Sequence, residues 1–184
     1  MSPILGIWAS SQQPALATSY ESISTVTASG GESSLSFSSI PSTYKHLQIR
    51  MSNIKFQADQ DIKITFNSTG GTSYATHFLQ GNGSSASAGG GGDKAYWEIM
   101  YIGNTNVTET NPAAAVLDIL DYADTNKYKT SRILWGGDYN GSGKISLDSC
   151  LFKSTSAIST ITFAPFSTNF TAGCTFALYG IKGA

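Results

Sequence analysis

Charge is scarce in this chain. Charged residues fill 12% of its 184 positions, about half of the usual share. Eleven basic residues against twelve acidic ones leave a net charge of -1, and no Lys or Arg occurs before Lys45. Nucleic-acid binders need a basic stripe to neutralise phosphates, so the shortage speaks against that class. Cysteine is nearly missing: Cys150 and Cys174 stand alone, neither in a C-x-x-C pair, and suggest no zinc site. They bond only if their strands are neighbours, and two thiols in an intracellularly assembled protein stay reduced; the sequence leaves both open. Histidine is limited to His46 and His77, in no spacing that a metal site or a catalytic triad uses. No apolar run approaches the roughly 20 residues that cross a bilayer, so a soluble protein without membrane insertion is expected.

Apolar residues at 40% and aromatics at 11% provide enough buried surface to offset chain entropy. With so few charges, Ser, Thr, Asn and Gly carry the surface, a composition suited to packing within an assembly. The opening "MSPILGIWASSQQPALATSY" places Ile4, Leu5, Ile7 and Trp8 ahead of any charged residue. Ala15-Leu16-Ala17 resembles a signal-peptidase site. The positive n-region is missing, however, and Gly6 and the polar residues 10–13 break the apolar run, so a signal peptide is not expected. The expected division is a docking arm over residues 1–19 and a β-sandwich over 20–184. In the competing reading, the arm is the first strand of its own domain.

Apolar residues recur at every second position, the period of a strand. Leu47, Ile49 and Met51 alternate with polar residues; so do Ile62, Ile64 and Phe66, and Ile145, Leu147 and Leu151 keep the same period. Cys174, Phe176 and Leu178 close the series, with Ala177, Tyr179 and Ile181 on the opposite face, and this two-sided apolar strand is expected to meet another subunit. "AAAVLDILDY" is apolar on both faces and reads as a strand buried on both sides, with a short helix as the competing reading. Gly-, Asn- and Ser-rich turns separate the runs about every 12–15 residues, which predicts an all-β antiparallel sandwich of jelly-roll type. The stretch from Gly81 to Lys94, with four consecutive glycines, reads as an irregular surface loop or a variable loop that touches a partner. Trp135 and Tyr139, beside the turn Gly136–Gly143, are the candidate residues for surface recognition.

Motifs for chemistry fail one by one. In "GGDYNGSGKIS" the phosphate-loop pattern breaks, because Ile145 follows Gly143-Lys144 where a Ser or Thr should hold magnesium. The Asp- and Asn-rich turns lack calcium-loop spacing and its terminal Glu. No catalytic residue, metal ligand or cofactor site is assigned, and no enzyme is expected.

The start "SPILGIWASSQ" and the end "FTAGCTFALYGIKG" resemble a group of small proteins encoded by tailed bacteriophages. So do "TSYESISTVTASGGESSLSFSSIPSTYKHLQIR", "AAVLDILDYADTNKYKT" and "GSGKISLDSCLFKSTSAISTITF", and together the five pieces cover well over half of the chain. The resemblance carries no catalytic residues. It implies a β-rich virion subunit repeated by symmetry, with a trimer expected. The leading expectation is a tail fibre, spike or adhesin subunit, anchored to baseplate or tail proteins by Ile4, Leu5, Ile7 and Trp8, its loops meeting host surface polysaccharide. A capsid decoration protein gripping the major capsid protein is the alternative, and a free carbohydrate-binding module is the third.

Overall fold

Alternating apolar residues become twelve strands among the described residues of a computed structural model, which cover 19–56, 60–103 and 111–183. The strands are β1 (Tyr20–Thr27), β2 (Leu35–Phe37), β3 (His46–Ile54), β4 (Gln60–Phe66), β5 (Tyr74–Gly81) and β6 (Ala86–Lys94). They continue with β7 (Trp97–Gly103), β8 (Ala113–Leu120), β9 (Lys129–Asp138), β10 (Gly143–Phe152), β11 (Ile161–Pro165) and β12 (Thr175–Ile181). One sheet has eight strands in the order β1-β12-β3-β8-β9-β10-β5-β6, and the other has four in the order β2-β11-β4-β7. All strand pairs are antiparallel.

The topology is a jelly roll with two insertions. Without the hairpins β5–β6 and β9–β10, the remaining eight strands cross from sheet to sheet at every connection except β4 to β7, in the two interleaved Greek keys of that fold. The two hairpins then join each other: β10 pairs with β5 over eight residues, from Ile145↔Gly81 to Phe152↔Tyr74. They extend the β8 edge by four strands, to a width of roughly 34 Å at a spacing near 4.8 Å per strand.

The core lies between the sheets. Leu47, Ile49, Leu117, Ile133 and Phe176 of the large sheet meet Ile62, Ile64, Trp97, Ile99 and Phe163 of the small one, all buried. At the junction with the extension, Tyr74 stacks on Phe152 at 5.1 Å between ring centroids, and Phe66 packs edge-on against Phe152 at 5.3 Å. The Tyr74 hydroxyl accepts the Phe66 N–H at 2.8 Å and donates to the Thr69 carbonyl at 3.2 Å, while burial pushes its pKa up to about 12.

Two features differ from the sequence reading and two decide what it left open, each for a local reason. First, β8 is buried on one face only: Ala113, Ala115, Leu117 and Ile119 point inward, and Val116 is exposed. Second, the glycine-rich stretch holds an edge strand, β6. A Cβ on Gly89 would sit 2.8 Å from the Phe78 ring, and one on Gly90 would sit 2.4 Å from the His77 ring. The missing side chains let those of β5 lie over the edge. Third, β10 turns the opposite face inward. Ser146, Asp148, Cys150 and Phe152 are buried, while Ile145, Leu147 and Leu151 face outward. Fourth, Cys150 lies on β10 and Cys174 adjoins β12, with β9, β8 and β3 between those strands, so the two buried thiols are free. Residues 1–18 lie outside the described residues, and with them the arm and Ile4, Leu5, Ile7 and Trp8.

A buried lysine ties the loops at one end of the sandwich. Lys129 is fully buried, and its ammonium lies 2.5 Å from the Asp124 carbonyl oxygen, 2.9 Å from that of Lys127, 3.3 Å from that of Ser154 and 3.0 Å from that of Thr155. Burial alone disfavours the charge and pulls its pKa below the usual lysine value; the converging carbonyl dipoles offset that cost. Lys129→Met removes the donors and leaves the carbonyls without partners. It is expected to cost roughly 3 kcal/mol, read as a lower midpoint in urea unfolding. An unchanged midpoint would show that the lysine ties nothing.

Candidate functional site

The inserted hairpins place their turns side by side at one end of the large sheet. In the β5–β6 turn, Asn82 Oδ1 accepts the backbone N–H groups of Ser84 at 3.1 Å and Ser85 at 2.9 Å. In the β9–β10 turn, Asp138 Oδ1 accepts the Asn140 N–H at 3.0 Å, and Tyr139 N–H donates to the Ser142 carbonyl at 2.7 Å. Asn140 and Gly141 both take positive φ, 58° and 105°, as this tight hairpin turn requires. Ile145 pairs with Gly81 on one side and Gly136 on the other, which brings the two turns together. Between them runs an open groove of about 580 Å³, and six of its twelve lining residues are glycines. The two stretches read from sequence as candidate tips, from Gly81 and from Gly136, thus share one surface.

The aromatic platform expected there is absent, and the recognition reading of Trp135 is corrected. Trp135 is 1% exposed, because it shares the inward phase of β9 with Lys129, Ser131 and Ile133. Tyr139 is half-buried and packs against the core, its ring against Gly137, where a Cβ would sit 2.6–2.9 Å from ring and hydroxyl atoms. The groove therefore offers backbone, Asp138 and Lys144 instead of a stacking ring.

The outward face of the large sheet shows what the sequence reading missed. Val116 pairs with Leu134, Leu134 with Leu147, and Leu147 with Leu79. Their exposures are 40%, 52%, 51% and 57%. Four adjacent strands thus carry an unbroken apolar ladder in solvent. Ile145 and Leu151 on β10 widen it at 58% and 38% exposed. The next row out is polar: Asp118 receives hydrogen bonds from Gln48 Nε2 at 3.0 Å and Arg132 Nε at 3.3 Å, and His77 stands three strands away. The signal was present in the alternation of β10, whose two faces are Ile-Leu-Ser-Leu and Ser-Asp-Cys-Phe.

Beneath the ladder, Asp148 is buried, with the Ser146 hydroxyl hydrogen-bonded to its carboxyl group; burial raises its pKa above the usual aspartate range. Glu98 is raised as well, by burial and then by neighbouring Asp61. Both acids line a cavity of about 100 Å³, room for roughly three waters and too small for a sugar ring. His46 Nδ1 accepts the Asp121 N–H at 3.0 Å, a structural tie between β3 and the turn after β8. Asp121 itself is held near a pKa of about 2 by Lys127 and Lys45. Among the described residues, no three His, Cys, Asp or Glu side chains are grouped to hold a metal ion. None of the described residues forms a helix long and apolar enough to cross a membrane.

The buried Asp148 carries a pH signature. The unfolded chain releases this proton near the ordinary aspartate value, about 3.9, and the folded chain only at higher pH. Stability contributed at this site therefore falls as pH rises between the two values and stays low above them. Asp148→Asn is expected to raise the urea midpoint at pH 7, and the gain over the parent shrinks to nothing as pH drops below that window. A variant less stable at neutral pH would contradict this account.

Searches of protein-family models, curated proteins and solved structures returned no match to this chain.

Proposed function

We propose that this chain is a structural subunit of a bacteriophage particle, whose function is contact with other virion proteins rather than catalysis. One observation carries the proposal: a wide sheet of a jelly-roll domain turns an unbroken apolar ladder outward. A contiguous apolar patch of this size on a protein surface is often a contact site. The sparse charge and the sequence resemblance to small phage proteins support the same reading.

Within the particle, the proposed place is the tail, as a fibre, spike or adhesin subunit. Residues 1–19 would supply the anchor through Ile4, Leu5, Ile7 and Trp8. The glycine-lined groove between the hairpin turns would face the host surface, where its backbone groups and Asp138 can hydrogen-bond hydroxyl-rich polysaccharide. A capsid decoration protein would share the apolar face and lie on the major capsid protein.

Deleting residues 1–13 is expected to leave a folded, soluble sandwich with an unchanged circular dichroism spectrum that fails to join particles. Electron microscopy of intact phage with the full chain labelled is expected to show density at the tail. Density on the head shell would favour the decoration reading, and normal incorporation of the deleted chain would overturn the anchor.

A further inference from the structure

We propose that the outward face of the eight-stranded sheet binds a second copy of this chain, face to face, about a two-fold axis that runs along the strands between β9 and β10. The proposal concerns the isolated protein and does not depend on its place in a virus.

Three properties of the face select a copy of itself. The first is extent. The six outward apolar side chains expose on the order of 500 Å². With the polar rows around them, they approach the roughly 800 Å² per partner that a stable interface uses.

The second is shape. The axis maps β9 onto the partner's β10 and β8 onto the partner's β5, so the ladder meets itself: Leu134 lies over the partner's Leu147, and Val116 lies over the partner's Leu79. One row along, Ala114, Gly136, Ile145 and Gly81 are aligned across the same four strands. There Ile145, the most exposed of the large apolar residues, comes down over the partner's Gly136, which has no side chain. On the other side, Leu151 comes over the partner's Thr130. Ile145 thus meets glycine on one flank of the Val116–Leu134–Leu147–Leu79 row, and Leu151 meets threonine beyond the polar row on the other. Two sheets packed at about 10 Å need this interdigitation.

The third is charge. In the row holding Asp118, Arg132, Ser149 and His77, the same axis places Asp118 against the partner's His77 and Arg132 against the partner's Ser149. No two like charges oppose each other in this row. A two-fold axis between β8 and β9 would instead pair Leu147 with the partner's Arg50 and Leu79 with the partner's Ala177.

The test is the oligomeric state of the full chain by sedimentation velocity across a concentration series. The wild-type chain is expected to form a dimer. The double variant Leu134→Asp, Leu147→Asp is expected to sediment as a monomer with an unchanged circular dichroism spectrum. If that variant fails to fold, Leu134→Ser with Leu147→Ser provides the same reading. The axis is tested by mixing chains carrying Leu134→Cys with chains carrying Leu147→Cys. Mild oxidation should cross-link the mixture in preference to either variant alone. A wild-type monomer would overturn the proposal, including one that dimerises only after residues 1–13 are removed, since the face would then be covered by its own N-terminal segment. A trimer, a dimer that survives the Asp substitutions, or a cross-link without preference for the mixture would also overturn it.

Discussion

The phase of β10 is the constraint on which the rest depends. Backbone pairing holds this strand on both sides, Leu147 opposite Leu134 of β9 and opposite Leu79 of β5. Side chains alternate with a period of two, so one residue of slip would exchange its faces. In the observed register, Phe152 and Cys150 join the core, Asp148 and Ser146 are buried together, and three large aliphatic residues face solvent. Burying Asp148 is costly unless its carboxyl group is hydrogen-bonded or protonated. The fold accepts that cost and keeps its leucines outside. Such an arrangement makes physical sense when the outside is itself an interior, the buried seam of an assembly.

Much of the framework was legible in the sequence. Alternation located β3, β4, β8, β10 and β12, and turn residues located several of the connections. The failures share a cause. For β10, both phases were chemically plausible from the alternation, and long-range pairing with β9 and β5 decides which face turns inward. Trp135 was placed by its nearness to a turn, although its parity with Ile133 already put it inside. Ala113 to Leu120 looked two-sided because Val116 belongs to the outer ladder, an exposed residue on a strand whose other face is core. The Gly89–Gly90 strand was hidden by composition. Glycine usually weakens strands, but here it makes room for Phe78 and His77 of the neighbour.

The two insertions explain how a common fold takes on a particular task. The eight framework strands enclose the core by themselves. β5–β6 and β9–β10 add Tyr74, Ile133, Trp135, Cys150 and Phe152 to that core. They double the width of one sheet, and they contribute three of the four rungs of the apolar ladder and both turns of the glycine-lined groove. The apolar outer face and the structural core are thus separated: the insertions carry most of the face, and the jelly roll holds them in register. Lys129 stands at the base of the second insertion, where its ammonium binds the turn before β9 to the segment after β10.

The most direct measurement of the central claim compares adjacent positions on β10. Cys150 is buried, and burial pushes its thiol pKa up, which makes it a poor nucleophile. Ser149 faces outward beside the ladder. In dilute native protein carrying Ser149→Cys, a maleimide is expected to label position 149 rapidly and Cys150 only after unfolding. Rapid labelling of Cys150 with protection at 149 would place the leucines of β10 in the core and contradict the account.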